Sequence, residues 1–188
     1  MNNPYTQADM QAIVTGVLAG VLGVAKADIG PDNAIVDDFG ADSLDFVEFN
    51  TTLEKKLGMS MPKKGPLAQA GKATGTPDAF YNGRTGLTAD GVELLKNSLS
   101  QYRQLTPGMT VNDIFNLTSV DNIAALCLNL FNHLPEQCPE CAHAEATVSA
   151  AGKAVCASCS VGLRPLPGDE VDELHIRRYL EATATQSA

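Results

Sequence analysis

The residues best suited to do chemistry begin with a serine between two aspartates, Asp42-Ser43-Leu44-Asp45, shortly after Gly40. Asp42 is a favourable N-cap residue, and Asp45 places a carboxylate in the first helical turn, where the helix dipole favours it. Ser43 would then be the first helical residue, its hydroxyl facing solvent beside unpaired backbone N–H groups, which favours an attached phosphate ester. No histidine or lysine lies within ten residues of Ser43 to activate it as a nucleophile. The pattern predicts a serine that is modified; the alternative is an ordinary first-turn serine.

Two close pairs of cysteines form the second candidate site. Two residues separate Cys138 from Cys141 and Cys156 from Cys159, and fourteen residues lie between the pairs. This spacing is typical of a zinc ribbon, in which each pair forms a knuckle and four thiolates complete a closed tetrahedral site. Because a closed site leaves no position for water, the spacing predicts structural rather than catalytic Zn²⁺. A redox pair and an iron–sulfur centre are the alternatives.

The composition limits the kinds of protein and partner. The chain has 188 residues, 44% hydrophobic and 5% aromatic with no tryptophan, so we expect a small helical bundle with a core of Leu, Val, Ile and Ala. A net charge of −9 argues against nucleic acid and anionic membranes as partners, and favours basic proteins or simply good solubility. The sequence shows no export signal and no apolar stretch long enough to span a membrane, which favours a cytoplasmic protein.

Three predicted segments position Ser43. Apolar residues at spacings of three and four indicate an amphipathic helix over residues 6–23, and the glycines, proline and aspartates of residues 25–40 indicate a long loop. The second helix should run from Ser43 to about Leu57, where Gly58 ends it. Its core-facing stripe is Phe46, Phe49, Leu53 and Leu57, and its more exposed stripe is Leu44, Val47 and Thr51.

The chain beyond the second helix is less regular. Residues 59–85, rich in Pro, Gly and Lys, are expected to form an exposed, partly mobile insertion. Short helices are predicted near residues 87–102 and 110–117, and a final bundle helix over 120–133. After the ribbon, a last helix should give way to a disordered tail at residues 183–188. The buried face of the final bundle helix should be Val120, Ile123, Ala124, Cys127, Leu128 and Phe131.

These segments together resemble the acyl carrier proteins, and peptidyl carrier domains share the pattern. The features that carry the resemblance are the first helix, the long loop, Gly40-Ala41-Asp42-Ser43-Leu44 opening an acidic helix, and a late helix led by Thr118-Ser119-Val120. The resemblance covers about residues 5–134. It implies a mainly α fold, an acyl-carrier-type four-helix bundle with a long insertion, to which a small zinc ribbon and a C-terminal helix are added.

The resemblance also implies a cofactor and a set of partners. It implies that Ser43 carries 4′-phosphopantetheine, transferred from coenzyme A by a separate Mg²⁺-dependent transferase, and that the thiol of this arm holds an acyl group as a thioester. The further partners would be acyl- or aminoacyl-loading, ketosynthase-like or acyltransferase enzymes. In this family the helix that begins at the modified serine is the recognition helix. Partner contacts are therefore assigned to Asp42, Leu44, Asp45, Val47, Glu48 and Thr51.

The residues themselves favour the same surface. The acidic side chains of Asp45, Glu48 and Glu54 would steer basic enzymes toward Ser43. Exposed Leu44 and Val47 would supply a small apolar contact. Core packing is the alternative for these two residues. The long insertion, two lysines late in the recognition helix and the C-terminal extension differ from compact carriers, and the last two favour a dedicated carrier over the general carrier of fatty-acid synthesis.

The sequence thus predicts three regions and one main function. The regions are a carrier-like helical domain at residues 1–134 with the insertion at about 60–107, a ribbon-like segment at 135–168, and a C-terminal helix and tail at 169–188. The predicted protein is a non-catalytic carrier in fatty-acid-like, polyketide or other specialised biosynthesis, in a bacterial cytoplasm. The alternatives are a zinc-ribbon protein–protein adaptor without phosphopantetheine and, less well supported, a small redox enzyme.

Overall fold

The computed structural model describes residues 1–186, and helices dominate them. The expected mainly α fold is therefore confirmed. Within these residues no helix combines the length and the apolar character needed to cross a membrane. The elements in chain order are α1 (Gln7–Leu22), α2 (Ser43–Leu57), α3 (Pro66–Thr74), β1 (Tyr81–Asn82), β2 (Gly86–Leu87), α4 (Ala89–Lys96), α5 (Val111–Asn116), α6 (Val120–Phe131), β3 (Ala146–Val148), β4 (Ala154–Cys156) and α7 (Gly168–Gln186), with 3₁₀ turns at Lys26–Asp28 and Pro77–Ala79.

Local capping fixes where the long bundle helices begin and end. Each of these helices begins with a capping box. The side chains of Thr6, Asp42 and Ser119 each accept a hydrogen bond from the backbone N–H three residues later, and the side chain of that later residue accepts one from the backbone N–H of the N-cap residue. Gly23 and Gly58 adopt the left-handed conformation that ends α1 and α2. These signals are local, which is why the predicted helices over 6–23 and from Ser43 to Leu57 are confirmed.

Helix α1 lies at the centre of the bundle, because it packs against both α6 and α2. Met10 and Val14 of α1 are fully buried. All residues of the α6 face predicted from the sequence are buried as well, except Leu128. Leu128 is only partly buried, and Leu130 is fully buried instead, because the core-facing stripe continues three residues on from Cys127. The short helix α5 contacts α2 through Phe115 and Phe46, and its buried Ile114 packs in a second apolar cluster with Val92 and Leu95 of α4.

The segment over residues 59–85 contains helix α3 and a 3₁₀ turn, and about half of its residues are exposed, as expected, while a few apolar ones are buried. Ala70 of α3 is fully buried, and Phe80, which follows the second 3₁₀ turn, is 6% exposed. Both lie in one apolar cluster with Leu94 of α4 and Ile176 of α7. Helix α3 has only nine residues and owes its order to a partner from the far end of the chain, so local periodicity did not reveal it.

Helix α7 is fixed by its first residues against the segment that follows α2. A Cβ atom on Gly168 would lie 2.5 Å from the backbone nitrogen of Pro62, so this close approach requires glycine. The Oδ1 atom of Asp169 accepts hydrogen bonds from the backbone N–H groups of Lys63 and Lys64 at 2.8 and 3.1 Å. The start of α7 and the start of the insertion therefore hold each other in place.

The C-terminal tail is also more regular than expected. The predicted disordered tail is helical as far as Gln186, and residues 187–188 lie outside the described part of the chain. Tyr179 and Leu180 continue the apolar contact of α7 with the insertion, which supports the helix into its last turns.

One carboxylate is buried between α3 and α7. Asp172 is 3% exposed and accepts a hydrogen bond from Nε2 of Gln69 at 2.5 Å. Burial raises the pKa of Asp172 from 3.8 to about 6, with the negative charge of Asp169 adding to the effect and the hydrogen bond from Gln69 opposing it. Because the pKa is higher in the folded than in the unfolded state, the folded state binds the proton more tightly. Stability therefore falls as the pH rises from about 4 through 6.

The variant Asp172→Asn should be more stable than the wild type at neutral pH, because it keeps the acceptor for Gln69 and removes the buried charge. We expect its free energy of unfolding at pH 8 to be higher by about 3 kcal/mol, and the difference to vanish below about pH 4. Urea unfolding at several pH values measures this. Glu170→Gln, which removes an exposed carboxylate from the same helix, should show little pH-dependent difference. A variant no more stable than the wild type at pH 8 would contradict the burial cost.

Candidate functional site

The loop before α2 brings Ser43 to the surface of the bundle. Ile35 is 1% exposed, and its backbone N–H donates to the carbonyl of Thr118 at 3.0 Å, so the loop is pinned beside the start of α6. Gly40 then adopts a left-handed φ of 68°, and its N–H donates to the carbonyl of Val36 at 2.7 Å. This turn directs the chain into the first turn of α2, with Ser43 at the first helical position.

Side chains within the first turn of α2 accept the hydrogen bonds of its backbone N–H groups. The Oδ1 atom of Asp42 accepts hydrogen bonds from the N–H groups of Leu44 and Asp45 at 2.8 and 2.9 Å, and Oδ2 of Asp45 accepts from the N–H of Asp42 at 2.9 Å. The Ser43 side chain is exposed, and its hydroxyl makes no hydrogen bond to any residue among 1–186. The hydroxyl is therefore available for modification, and no base among the described residues is hydrogen-bonded to it.

The six residues assigned to partner contacts differ in exposure. Leu44 is 76% exposed and Val47 64% exposed, so core packing does not explain these two residues. Glu48 is exposed as well, whereas Thr51 is only partly exposed. Asp42 and Asp45 serve the cap described above, so part of their hydrogen-bonding capacity is already used.

Helix α5 adds apolar surface that sequence reasoning did not include. The ring of Phe115 lies 4.5 Å from that of the buried Phe46, measured between centroids, so α5 packs against the first turns of α2. Phe115 remains 37% exposed and Val111 54% exposed. Their spacing of four residues around buried Ile114 was the signal that could have indicated a second apolar stripe. We call the side chains of Leu44, Val47, Val111 and Phe115 the α2–α5 patch.

The four cysteines converge after the end of α6. Their Sγ atoms all lie within 4.8 Å of one another, and those of the pairs Cys138–Cys159 and Cys141–Cys156 are each 3.6 Å apart. Tetrahedral zinc with Zn–S distances of about 2.3 Å places its sulfurs about 3.8 Å apart. The cluster therefore fits one zinc ion held by four thiolates.

The two cysteine pairs form knuckles of the same design. The N–H of Ala142 donates to the carbonyl of Cys138 at 2.9 Å, and the N–H of Ser160 donates to that of Cys156 at 2.9 Å. Ala142 and Ser160 both have a left-handed φ, 58° and 60°, which turns each knuckle around the metal position. The backbone amide of Cys159 hydrogen-bonds the sulfur of Cys156 and lowers the pKa of Cys156 to about 6. The backbone amide of Val161 acts in the same direction on Cys159, but burial and the neighbouring sulfurs raise the pKa of Cys159 to about 12. Four thiolates this close need a cation between them, which a bound zinc ion would supply.

A short hairpin carries the second knuckle. Strands β3 and β4 are antiparallel, with Ala146 opposite Cys156 and Val148 opposite Ala154. Cys138 and Cys156 are buried, whereas Cys141 and Cys159 are exposed. The fifth cysteine, Cys127, is fully buried in the bundle, and burial raises its pKa to about 12, so it is a core thiol and no part of the cluster.

Comparison with known proteins gives matches to the region around Ser43. The family described as "Phosphopantetheine attachment site" matches residues 12–64, which include α2. The acyl carrier protein of Syntrophobacter fumaroxidans is 44% identical over 55 residues, which make up 29% of this chain and 68% of that protein. No solved structure matches the chain significantly. The family match ends before α3, so it does not include most of the insertion, the cysteine cluster or α7.

The cysteine cluster should hold one zinc ion per chain. Native mass spectrometry of protein purified with reductant and zinc measures this, and the double variant Cys138→Ser/Cys156→Ser should lose the ion. Cys127→Ala removes a thiol outside the cluster and should retain the full zinc content. Iron in the purified protein, or thiols that cycle reversibly with a disulfide and bind no zinc, would contradict the zinc site.

Proposed function

Because this chain belongs to the acyl carrier protein family, we propose that Ser43 bears a 4′-phosphopantetheine arm on which acyl or aminoacyl groups are presented to partner enzymes. The family consists of carriers rather than catalysts. The observation that carries the proposal is the exposed hydroxyl of Ser43 at the first position of a capped helix, inside the region that matches the phosphopantetheine attachment family. When attached, the arm supplies a thiol that holds its cargo as a thioester.

The surroundings of Ser43 support attachment by a separate enzyme. Transfer forms an ester bond between Oγ of Ser43 and the phosphate of phosphopantetheine, breaks the pyrophosphate bond of coenzyme A and releases adenosine 3′,5′-bisphosphate. The serine proton must pass to the transferase, because the Ser43 hydroxyl has no hydrogen-bonded base within residues 1–186. The N–H groups of Leu44 and Asp45 are bonded to Asp42, contrary to the unpaired donors expected beside Ser43, so the start of α2 favours the attached phosphate through its dipole alone.

The α2–α5 patch is the proposed contact surface for partner enzymes. Two of its exposed apolar side chains, Leu44 and Val47, lie along the first turns of α2 among the acidic residues Asp42, Asp45 and Glu48. A partner with an apolar contact flanked by basic residues would match both features, since charge complementarity speeds association and apolar burial stabilises the complex. The phosphopantetheinyl transferase and the loading, ketosynthase-like or acyltransferase enzymes are the proposed partners.

We further propose a dedicated pathway, a cellular location and three functional regions for this chain. The long insertion and C-terminal extension support a dedicated carrier in polyketide, modified-lipid or aminoacyl chemistry, and the bacterial relative supports a bacterial cytoplasm. In this proposal residues 1–134 carry the cargo, residues 135–168 form the ribbon and residues 169–188 form the C-terminal helix and tail. The alternative function is a zinc-ribbon adaptor in which Ser43 is never modified.

Intact-protein mass spectrometry tests the attachment. After incubation with coenzyme A and a broad-specificity phosphopantetheinyl transferase, we expect the wild type to gain the mass of one phosphopantetheine and Ser43→Ala to gain none. Ser100→Ala, which alters another serine of the carrier region, should be modified like the wild type. If the wild type gains no mass while an established acyl carrier protein is modified in the same reaction, the carrier proposal fails and the adaptor is supported.

Charge placed in the α2–α5 patch should weaken partner binding without unfolding the protein. We expect Leu44→Asp and Val111→Asp each to raise KM for the transferase about tenfold with little change in kcat, since each removes an exposed apolar contact worth about 1.4 kcal/mol. Steady-state kinetics of phosphopantetheine transfer measure this. Val148→Asp, at a 38% exposed apolar side chain of the ribbon, is the matched control and should leave KM unchanged. Equal effects of all three variants would point away from the patch.

A further inference from the structure

We propose that the zinc ribbon is a built-in part of the carrier bundle, so that binding of the metal determines whether α1 and α6 stay folded together. In this view zinc is a structural cofactor of the carrier itself, not of a separate docking domain. The inference rests on the zinc site and on the packing around it, and does not depend on the modification of Ser43.

The ribbon and the bundle share one hydrophobic core. Cys138, Ala154, Cys156 and Leu163 of the ribbon are between 0% and 4% exposed, and they belong to the same apolar cluster as Phe131 of α6. The cluster also contains the buried residues of α1 and α2. Two of the four metal ligands are therefore themselves part of the wall of the carrier core.

Tyr5 joins the segment before α1 to both parts. Its ring is 5% exposed and meets the ring of Phe131 edge to face, with 4.8 Å between the centroids. Its hydroxyl donates a hydrogen bond at 2.9 Å to the carbonyl of Gly152, in the turn between β3 and β4. One side chain thus bridges α6 and the tip of the ribbon hairpin immediately before α1 begins.

The ribbon also connects the end of α6 with the end of α2. The N–H of Leu166, where the chain leaves the ribbon, donates to the carbonyl of His133, where the chain enters it, at 3.1 Å. Two residues later Gly168 packs on the backbone of Pro62, which follows α2. Displacement of the ribbon would therefore disturb the packing of α1, of α6 and of the start of α7.

Without a metal the ribbon has little regular structure of its own, and its contacts with the bundle are what remain to hold it. Its regular structure consists of two strands of three residues each, and a hairpin of that size is not stable alone in water. Its knuckles converge on the metal position and form no disulfide. Opening of the ribbon would remove the cover from Tyr5 and Phe131 and expose the α1–α6 contact to water. By contrast, α3 and α4 pack in clusters that contain no ribbon residue.

Hydrogen exchange followed by mass spectrometry tests this on the full chain. The zinc-loaded protein is compared with protein treated with a zinc chelator under reducing conditions. We expect amides of α1 and α6 to exchange at least tenfold faster after zinc removal, together with those of residues 138–166, while amides of α4 change much less. Added Zn²⁺ should restore protection, and added Mg²⁺ should not.

A loss of protection confined to residues 138–166 would overturn the proposal, because the ribbon would then open independently of the bundle. No change anywhere after verified zinc removal would overturn it as well. The variant Tyr5→Phe, which removes only the hydrogen bond to Gly152, provides a second measurement in zinc-loaded protein. We expect α1 to exchange several-fold faster in this variant with zinc still bound, and unchanged exchange in α1 would count against the bridge.

Discussion

The packing of α1 against both α6 and α2 is the constraint on which the rest of the molecule depends. Met10 and Val14 of α1 are fully buried between these helices, and the chain just before α1 continues the same contact to the ribbon through Tyr5. Because α2 has its core face on α1, the orientation of α2 and hence the position of Ser43 follow from this packing. The serine at one site and the cysteines at the other are thus supported by a single core.

The helix start that displays Ser43 is stabilised without involving the serine. The capping box between Asp42 and Asp45 satisfies backbone donors of the first turn, and such caps contribute about 1 kcal/mol to helix stability. The hydroxyl of Ser43 between them is exposed and forms no hydrogen bond within the part of the chain that the structure describes, residues 1–186. A side chain with this environment is a good acceptor of a group delivered by another protein and a poor catalyst, which is consistent with a carrier that depends on partner enzymes.

The additional elements leave the working end of α2 uncovered. The insertion and α7 meet the chain beyond the C-terminal end of α2, where Gly168 packs on Pro62, and Glu54 of α2 accepts a hydrogen bond from the N–H of Met61 at 2.8 Å. Leu44 and Val47, near the N-terminal end of α2, remain among the most exposed apolar side chains. The insertion and α7 therefore pack on the bundle without covering the surface on which the proposed function depends.

The sequence alone determined the features that depend on neighbours along the chain. The caps at Thr6, Asp42 and Ser119 fix the bundle helices, and the cysteine spacing fixes the two knuckles, because each needs contacts only a few residues apart. The tertiary structure alone decided the order of the insertion, whose buried Ala70 and Phe80 meet Ile176 from α7. It also decided that Phe115 lies on Phe46 and that the ribbon shares the bundle core. The reason is physical: these contacts join residues far apart in the chain, and their burial leaves no periodic signal in either segment taken by itself.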